Sequence, residues 1–389
     1  MTEIRVLDES QYRDHHTLFR GTLHHAAAPD EVWEHARNSY EPGRSHAAFD
    51  GAEIVGTVQS FGSSLVLPGG AVVPHAAVSR VGVRADHTRR GVLSSMMRAQ
   101  FDALDEPAAT LRASEGVIYG RFGYGVATRG RTVRVDRRRA AVPGEATGRV
   151  RLVDRDTAGK LLPELHDSVG MKRPGAIGRW TGWWELNLFG NIKPDDNLVS
   201  AVHSGPDGDD GFVVYKVDHG DKERVLKVYD LCAASPAAWA DLWRYLIGID
   251  LVDEVEAWLR PLDEPLEWLF TDPRAVKVTE FEDETWLRLI DVPFMLAQRT
   301  YADGDPVVVG VTDRLIPVNT GSYLITPDGA SRTDQAPDVE LSVDLLGALY
   351  LGDTTFRQLV TANRATGSNP AAADRLFAVS EVPWCGTYF

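Results

Sequence analysis

The most constraining feature of this chain is a segment that combines a strand, a basic turn and a one-sided helix. Residues 78–84 carry apolar side chains at the alternate positions 81 and 83, as a strand does. A turn with Arg89, Arg90 and Gly91 follows. The next helix carries apolar residues at helical spacing: Val92, Leu93, Met96, Met97, Phe101 and Leu104. A short buried strand is predicted at residues 108–113. This order predicts a βαβ unit with two parallel strands.

The turn is a candidate pyrophosphate site. Ligands of open α/β sheets bind where parallel strands part at their carboxyl ends. The backbone of Val81 and Val83 could pair with an extended ligand that carries amides. The amides of residues 88–93 lie at a helix N-terminus, where a partial positive charge suits phosphate, and Arg89 and Arg90 add full charges. The alternative is an ordinary basic turn that caps a helix.

A second segment places a phenol just beyond the predicted strand at residues 108–113. Tyr119 lies in the run Ser-Glu-Gly-Val-Ile-Tyr-Gly-Arg-Phe-Gly-Tyr-Gly, residues 114–125. Because a free phenol has a pKa of about 10, Tyr119 is protonated at neutral pH and can serve as a general acid. The alternative is a structural tyrosine packed on Phe122. Tyr124 fits that alternative better, and we expect it in the wall of the site.

Length and composition limit the class of protein. A chain of 389 residues predicts two or three domains. It has no apolar run long enough to cross a bilayer and no signal-peptide pattern at its start. Cys232 and Cys385 form neither a disulfide framework nor a zinc-type spacing. We therefore expect a reduced, cytoplasmic protein without membrane partner or metal.

The charge of the chain disfavours nucleic acid as a partner. The formal net charge is −15, which would repel phosphates. Such acidity either keeps the protein soluble or attracts a cationic substrate. The main basic stretch holds six arginines between residues 129 and 139. We expect it to be a solvated strand end that leads into a linker at residues 140–147.

Two similar starts indicate an internal repeat. Residues 4–8 and residues 150–154 each form a short predicted strand before a candidate helix. In the second copy, strands at 211–217 and 224–230 precede a helix that Ser235 caps and that ends near Gly248. No basic, glycine-bearing turn precedes that helix. The second copy therefore keeps the fold and lacks the phosphate turn.

The last part of the chain predicts an α+β domain. Strands are expected at 306–311, 314–319 and 322–326, and helices at 343–364 with a break at Gly352. The predicted domains are residues 1–140, 148–286 and 287–389.

The motifs resemble the acetyl-CoA site of the GCN5-related N-acetyltransferase (GNAT) superfamily, and more narrowly its Eis (enhanced intracellular survival) family. Val81-Gly82-Val83, residues 88–93 and residues 114–125 carry the resemblance, and the last run is specific to the Eis branch. It implies tandem GNAT folds of α/β class, the second degenerate, followed by a sterol-carrier-protein-like α+β domain. It also implies a hexameric, acetyl-CoA-dependent N-acetyltransferase that acts on aminoglycosides or other polyamine-like acceptors.

The resemblance also implies residue roles. Acetyl-CoA would be bound by Val81, Gly82, Val83, Arg89, Arg90, Gly91, Val92, Leu93, Ser94, Ser114 and Glu115. Tyr119 would be the general acid, and the C-terminal carboxylate of Phe389 the base. Arg80 and Tyr388 would lie on the acceptor side of the site, and Trp33 would either stack on the acceptor or simply pack against its helix. The chain departs from the superfamily at Thr88, which stands where an Arg or Gln begins the phosphate loop.

The aromatic C-terminus has a physical rationale for such a role. Trp384, Tyr388 and Phe389 would gain only by docking in an apolar site. Burial would raise the pKa of a docked α-carboxylate above its usual value of about 3.5, so that it becomes a usable base. The alternative function is an acyl-CoA- or lipid-binding carrier or regulatory protein without turnover. Tyr119 and the aromatic terminus count against it, because a carrier needs neither.

Overall fold

The computed structural model describes residues 2–190, 198–220 and 223–389, in which strands form three β-sheets. The first strands are β1 (Glu3–Val6), β2 (Ser45–Asp50), β3 (Glu53–Val66), β4 (Val72–Val83), β5 (Ala108–Leu111), β6 (Gly125–Val126) and β7 (Arg129–Asp136). The middle strands are β8 (Arg149–Val153), β9 (Val199–Gly205), β10 (Gly208–His219), β11 (Arg224–Ala233), β12 (Glu254–Arg260), β13 (Val276–Asp283) and β14 (Trp286–Leu289). The last are β15 (Val307–Thr312), β16 (Gly321–Thr326), β17 (Gly329–Thr333), β18 (Val339–Ser342) and β19 (Thr366–Gly367).

Helices cover the sheets and connect their strands. The first six are α1 (Tyr12–Thr22), α2 (Asp30–Arg37), α3 (Val92–Ala103), α4 (Arg155–Leu165), α5 (Thr181–Trp184) and α6 (Pro236–Gly248). The others are α7 (Leu266–Leu269), α8 (Val292–Gln298), α9 (Val343–Tyr350), α10 (Phe356–Thr361) and α11 (Pro370–Leu376). No helix of the described residues is long and apolar enough to span a bilayer.

The first sheet contains the predicted βαβ unit. Its strand order is β1-β2-β3-β4-β5-β14-β6. β4 and β5 are parallel, as predicted, and pair only from Ala76 opposite Ala109 to Val78 opposite Leu111. Beyond that point β4 continues to Val83 and pairs with β3 alone. The two parallel strands therefore part at their carboxyl ends.

The second sheet repeats this arrangement. Its order is β13-β7-β12-β11-β10-β9-β8, and β11 and β12 are parallel up to Val228 opposite Ala257. The connecting helix α6 buries Leu242 and Trp243 on the sheet. The hydroxyl of Ser235 accepts a hydrogen bond from the amide of Ala238, so the predicted cap is present.

Two strands lie in a different sheet from the one that the predicted domain boundaries would give them. β7, within residues 1–140, lies inside the second sheet between β12 and β13, whereas β14 lies in the first sheet and spans the limit at 286/287. The basic stretch is therefore not a solvated strand end. Acidic neighbours neutralise it: Arg131 pairs with Glu267 at 2.5 Å, and Arg134 with Glu256 at 2.7 Å.

The third sheet has the order β17-β16-β15-β18-β19. The strand expected at 314–319 is wrong, because this segment forms a turn and a short 3-10 helix, Pro317–Asn319. The carboxylate of Asp313 accepts the amides of Leu315 and Ile316, which removes these groups from any ladder. Pro317 has no amide hydrogen to contribute.

Helix α9 joins the third domain closely to the first sheet. A Cβ added at Gly125 of β6 would lie 1.8 Å from the carbonyl oxygen of Asp344, and one added at Gly347 of α9 would lie 2.3 Å from that of Leu287. Only glycine permits this approach at either position. The third domain therefore lies directly against β6 and β14 of the first sheet.

Candidate active site

A β-bulge lies on β4 just beyond the point where β5 leaves it. Ser79 pairs with Gln59 and Gly82 with Thr57, so Arg80 and Val81 together face the single residue between. Arg80 has a φ of 53°, in the left-handed region. A bulge leaves one residue out of the ladder. Backbone groups at this position are therefore available beside the opening between β4 and β5.

The basic turn before α3 has the shape of an anion site. Arg89 has a φ of 61° and Gly91 a φ of 82°. No side chain caps α3, which leaves the first-turn amides open. Arg89 and Arg90 are exposed, and neither has an ion pair with a described residue. A Cβ at Gly91 would meet nothing within 4 Å, so glycine is needed there for its φ rather than for space.

An ionic network fixes the base of this turn. Arg84 pairs with Glu53 at 2.8 Å and with Asp86 at 2.7 Å. His87 bonds Asp50 at 3.0 Å and Asp86 at 2.9 Å. The carboxylates of Asp50 and Asp86 accept hydrogen bonds from the imidazole, and these bonds raise the pKa of His87 above its usual value. The turn is thus braced at its base and free at its tip, as a phosphate site requires.

Tyr119 lies after β5 and is 6 % exposed. Its ring meets that of Tyr124 edge-on, with 6.2 Å between centroids. Burial, and then the charge of Glu115, raise the pKa of Tyr119 to about 12. Its hydroxyl has no hydrogen-bond partner among the described residues. Ser114 and Glu115, by contrast, are exposed.

Tyr124 is fully buried, and burial raises its pKa well above 10. Its enclosed hydroxyl has no hydrogen-bond partner among the described residues, and its place in the wall of the site stays a prediction. The two tyrosines thus differ in their surroundings, although both remain protonated at neutral pH.

The C-terminal segment is docked rather than frayed. The indole of Trp384 donates to the carbonyl of Leu259 at 2.6 Å. The amides of Cys385 and Gly386 donate to the carboxylate of Glu284, at 2.9 and 2.8 Å. Glu284 is completely buried and pairs with Arg112 at 3.2 Å.

Further contacts hold the last four residues. Arg179 donates to the carbonyl of Gly386 and to the hydroxyl of Thr387, both at 3.0 Å. The indole of Trp183 donates to the carbonyl of Tyr388 at 2.5 Å. The ring of Phe389 meets Trp180 edge-on at 6.2 Å. These contacts fix the direction in which the chain ends.

The docked segment contacts the residue that follows β5, two residues before the Tyr119 segment begins. Arg112 directly follows β5, and its Nε lies 3.4 Å from the carbonyl of Thr387. Trp180, which contacts Phe389, stacks at 4.4 Å on Phe61 of β3. The C-terminal segment therefore approaches the carboxyl end of β5, from which the chain continues to Tyr119.

The predicted acceptor residues have different surroundings. Arg80 is 5 % exposed, and its guanidinium donates to Gln59 at 2.6 Å and to Ser39 at 2.7 Å. It lies 4.5 Å from the ring centre of Tyr40. Arg80 thus braces the bulge, and a contact with an acceptor would require it to leave both hydrogen bonds. Burial lowers its pKa from the usual value.

Trp33 and Tyr388 differ in accessibility. Trp33 is partly buried and packs between His16 at 5.5 Å and Tyr40 at 5.9 Å. Burial, and then the charge of Arg80, lower the pKa of His16 to about 3, so His16 is uncharged at neutral pH. Tyr388 is 56 % exposed and lies 5.4 Å from Trp258.

A cavity of about 460 Å³ lies on the second-sheet side of the C-terminal segment. Aromatic residues form much of its wall: Trp183, Tyr229, Trp258, Trp384 and Tyr388. Arg112, Arg179 and Glu284, which hold the segment, also line it. None of the predicted acetyl-CoA residues does. The described residues contain no group of three or more His, Cys, Asp or Glu arranged for a metal, and metal independence stays a prediction.

The residues that hold the C-terminus were not predicted from the sequence. Arg179 and Trp183 lie in the run Arg-Trp-Thr-Gly-Trp-Trp, whose density of indoles was a usable signal. Glu284 and Arg112 have no such sequence signal, because their roles depend on contacts between distant parts of the chain.

Comparisons with known proteins agree with this architecture. A family model described as an acetyltransferase (GNAT) domain matches residues 3–127, and another with the same description matches residues 175–289. A sterol carrier protein domain matches residues 292–386. Tandem GNAT folds followed by a sterol-carrier-like domain are therefore confirmed.

Relatives are similar over most of their length. The chain is 34% identical over 358 residues to the N-acetyltransferase Eis of Mycobacterium tuberculosis, covering 86% of this chain and 85% of that protein. It is 37% identical over 380 residues to an uncharacterized N-acetyltransferase of Streptomyces avermitilis, covering 91% and 90%.

Solved structures are similar over the whole fold. The crystal structure of Eis1 from Mycobacterium abscessus matches with a TM-score of 0.91 at 37% identity, covering 100% of both chains. A GCN5-related N-acetyltransferase from Anabaena variabilis matches with a TM-score of 0.88 at 16% identity, again over 100% of both chains, which indicates a shared fold.

Proposed function

The chain belongs to the Eis family of GCN5-related N-acetyltransferases, and we propose that this acyltransferase moves an acetyl group from acetyl-CoA directly to a primary amine. The amine nitrogen attacks the thioester carbonyl, and the bond between carbon and sulfur breaks. The carboxylate of Phe389 takes a proton from the ammonium group before the attack. Tyr119 gives its proton to the departing thiolate, and the nitrogen that becomes the amide returns a proton to Tyr119. No covalent enzyme intermediate is required.

The residues around the parted strands suit acetyl-CoA. The backbone of Val81, Gly82 and Val83 pairs with the amides of pantetheine, as an added strand does. An amide at the bulge polarises the thioester carbonyl. The pyrophosphate lies against the turn and first helical residues: Arg89, Arg90, Gly91, Val92, Leu93 and Ser94. The unpaired charges of Arg89 and Arg90 and the open amides of α3 support this assignment. Ser114 and Glu115 line the inner end.

Tyr119 suits the role of acid because its pKa is raised to about 12. The phenol stays protonated at neutral pH, and its hydroxyl has no competing partner among the described residues. A positioned acid of this kind contributes about 10² to 10⁴ in rate.

The observation that carries the proposal is the docking of the C-terminal segment at the carboxyl end of β5. An ordinary terminus frays. Here every residue from Trp384 to Tyr388 has a hydrogen bond to another part of the chain. This ordered C-terminal segment supports a functional role for the carboxylate of Phe389.

We further propose an acceptor of the aminoglycoside or polyamine class, with Trp33 and Tyr388 in contact with it. The net charge of −15 favours a cation. Because Arg80 is engaged with Gln59 and Ser39, its charge does not face such an acceptor directly. The hexameric assembly and the cytoplasmic location predicted above belong to the same proposal.

A coupled assay tests the reaction class. The protein is mixed with acetyl-CoA, a thiol reagent and a panel of primary amines, and release of free thiol is followed with and without each amine. Thiol release that depends on an amine is the expected result. Binding of acetyl-CoA without release for any amine would contradict the proposal and favour the carrier function.

A further inference from the structure

The second acetyltransferase fold keeps the opening that defines the first. β11 and β12 pair in parallel up to Val228 opposite Ala257 and then part, as β4 and β5 do after Val78 and Leu111. β11 also carries a bulge at the parting, because Val214 pairs with Asp230 and Tyr215 with Val228, which leaves Tyr229 as the extra residue.

This second opening has no place for a pyrophosphate. Residues 84–91 separate β4 from α3, whereas only residues 234 and 235 separate β11 from α6. The first-turn amide of Ala238 is already satisfied by the hydroxyl of Ser235. The two features that suit a phosphate group, free amides and a basic turn, are therefore both missing.

The C-terminal segment of the chain lies at this second opening. Leu259 and Arg260 belong to the part of β12 beyond the parting. The Leu259 carbonyl accepts the indole hydrogen of Trp384, and the Arg260 guanidinium lies 5.1 Å from its ring. On the other side of the opening, Asp230 of β11 pairs at 2.5 Å with Arg179, which in turn holds Gly386 and Thr387.

The segment has two faces, as a strand in a sheet has. Pro383, Cys385 and Thr387 are buried, and the residues between them, Trp384, Gly386 and Tyr388, line the cavity of about 460 Å³. One face is thus bound by the protein, and the other closes the second opening. This is the relationship of a receptor to an extended ligand.

We propose that the second acetyltransferase fold serves as a receptor for the chain's own C-terminal segment. Arg179, Trp183 and Glu284 are then positioning residues that determine where the carboxylate of Phe389 lies. The effect on acetyl transfer rests on the proposed function, whereas the holding of the segment does not.

Carboxypeptidase A tests the proposal on the full-length protein, because it removes a terminal phenylalanine only from a free end. Glu284→Gln keeps the shape of the side chain but loses an acceptor for one of two amides, and Trp183→Phe removes a single donor. Arg131→Gln is the matched control, since Arg131 lies in β7 of the same sheet, forms an ion pair with Glu267 of helix α7, and has no contact with the segment among the described residues.

Both test variants should release phenylalanine about 10-fold faster than the parent protein or more. Their kcat should fall by a similar factor with the KM for acetyl-CoA unchanged, and the control should keep the parent values. Thermal unfolding checks that each variant is folded. If Glu284→Gln does not fold, the proposal is judged on Trp183→Phe, which is the milder change. Release at the parent rate in a folded variant would overturn the proposal. Faster release with unchanged kcat would instead keep the receptor and contradict the catalytic role of Phe389.

Discussion

The indole nitrogen of Trp183 donates a hydrogen bond of 2.5 Å to the carbonyl oxygen of Tyr388. This carbonyl belongs to the last peptide group of the chain, so the bond fixes the plane from which Phe389 extends. Trp183 lies in α5 of the middle of the chain, while the ring of Phe389 contacts Trp180, which stacks on Phe61 of the first sheet. The middle of the chain thus orients a group at the edge of the first domain.

Replacing Tyr119 with phenylalanine should reduce kcat by about 10²-fold or more, because the thiolate loses its proton donor. The KM for acetyl-CoA should change little. Steady-state thiol release measures both constants. Tyr124→Phe is the matched control, since its enclosed hydroxyl has no partner and its removal relieves an unsatisfied buried group. Equal losses in the two variants would contradict the assignment of the acid.

The pH dependence of kcat should reflect the raised pKa of Tyr119. An ordinary phenol loses its proton around pH 10, whereas burial and Glu115 move this loss to about 12. The active, protonated form is therefore complete below pH 10 and disappears only as the pH rises toward 12. We expect no alkaline decline of kcat from Tyr119 between about pH 8 and 10.5. A decline centred near pH 10 would show that the phenol is not shielded.

Arg89 and Arg90 should contribute to acetyl-CoA affinity and not to chemistry. The double variant Arg89→Gln/Arg90→Gln should raise the dissociation constant of acetyl-CoA about 10-fold, equal to about 1.4 kcal/mol, and this difference should shrink at high salt. Calorimetric titration measures it. Arg98→Gln, an exposed arginine of α3 away from the turn, is the control. An effect of the control as large as that of the double variant would indicate general electrostatics.

Gly91 should be required for its backbone conformation. Its φ of 82° costs an L-residue about 1–2 kcal/mol, although a Cβ would have free space. Gly91→Ala should lower the free energy of unfolding by about that amount, measured in urea. Gly248→Ala is the comparison, because that helical glycine also has free space and no positive φ. It should leave stability unchanged or raise it by up to about 1 kcal/mol. If the two substitutions changed the free energy of unfolding equally, the turn would not require the positive φ of Gly91.

The sequence predicted the parts of the fold that depend on local pattern. The apolar stripe of α3 and the alternation of β4 identified the βαβ unit, because helix and strand periods differ. The cap at Ser235 was equally readable. The strand expected at 314–319 was wrong since apolar content resembled a strand, while Asp313 and Pro317 impose a turn.

The features that the sequence did not predict depend on contacts between distant segments. No local pattern shows that β7 enters the second sheet and that β14 enters the first. The burial of Arg80 follows from Ser39 and Gln59, which lie on other elements. Glu284 holds the C-terminus across about a hundred residues of chain, and such pairing leaves no mark in a single sequence.

We expect the α-carboxylate of Phe389 to accept the proton of the amine. Cys385 offers a natural ligation point, so residues 385–389 can be joined as a synthetic peptide that ends either in the carboxylate or in the uncharged carboxamide. The two products differ by one charge and keep the same length. Thiol release at saturating acetyl-CoA and amine is the measurement. The carboxylate product should match the biosynthetic protein, and the carboxamide product should have a kcat lower by about 10²-fold or more. Equal turnover of the two products would contradict the role of the Phe389 carboxylate as the base.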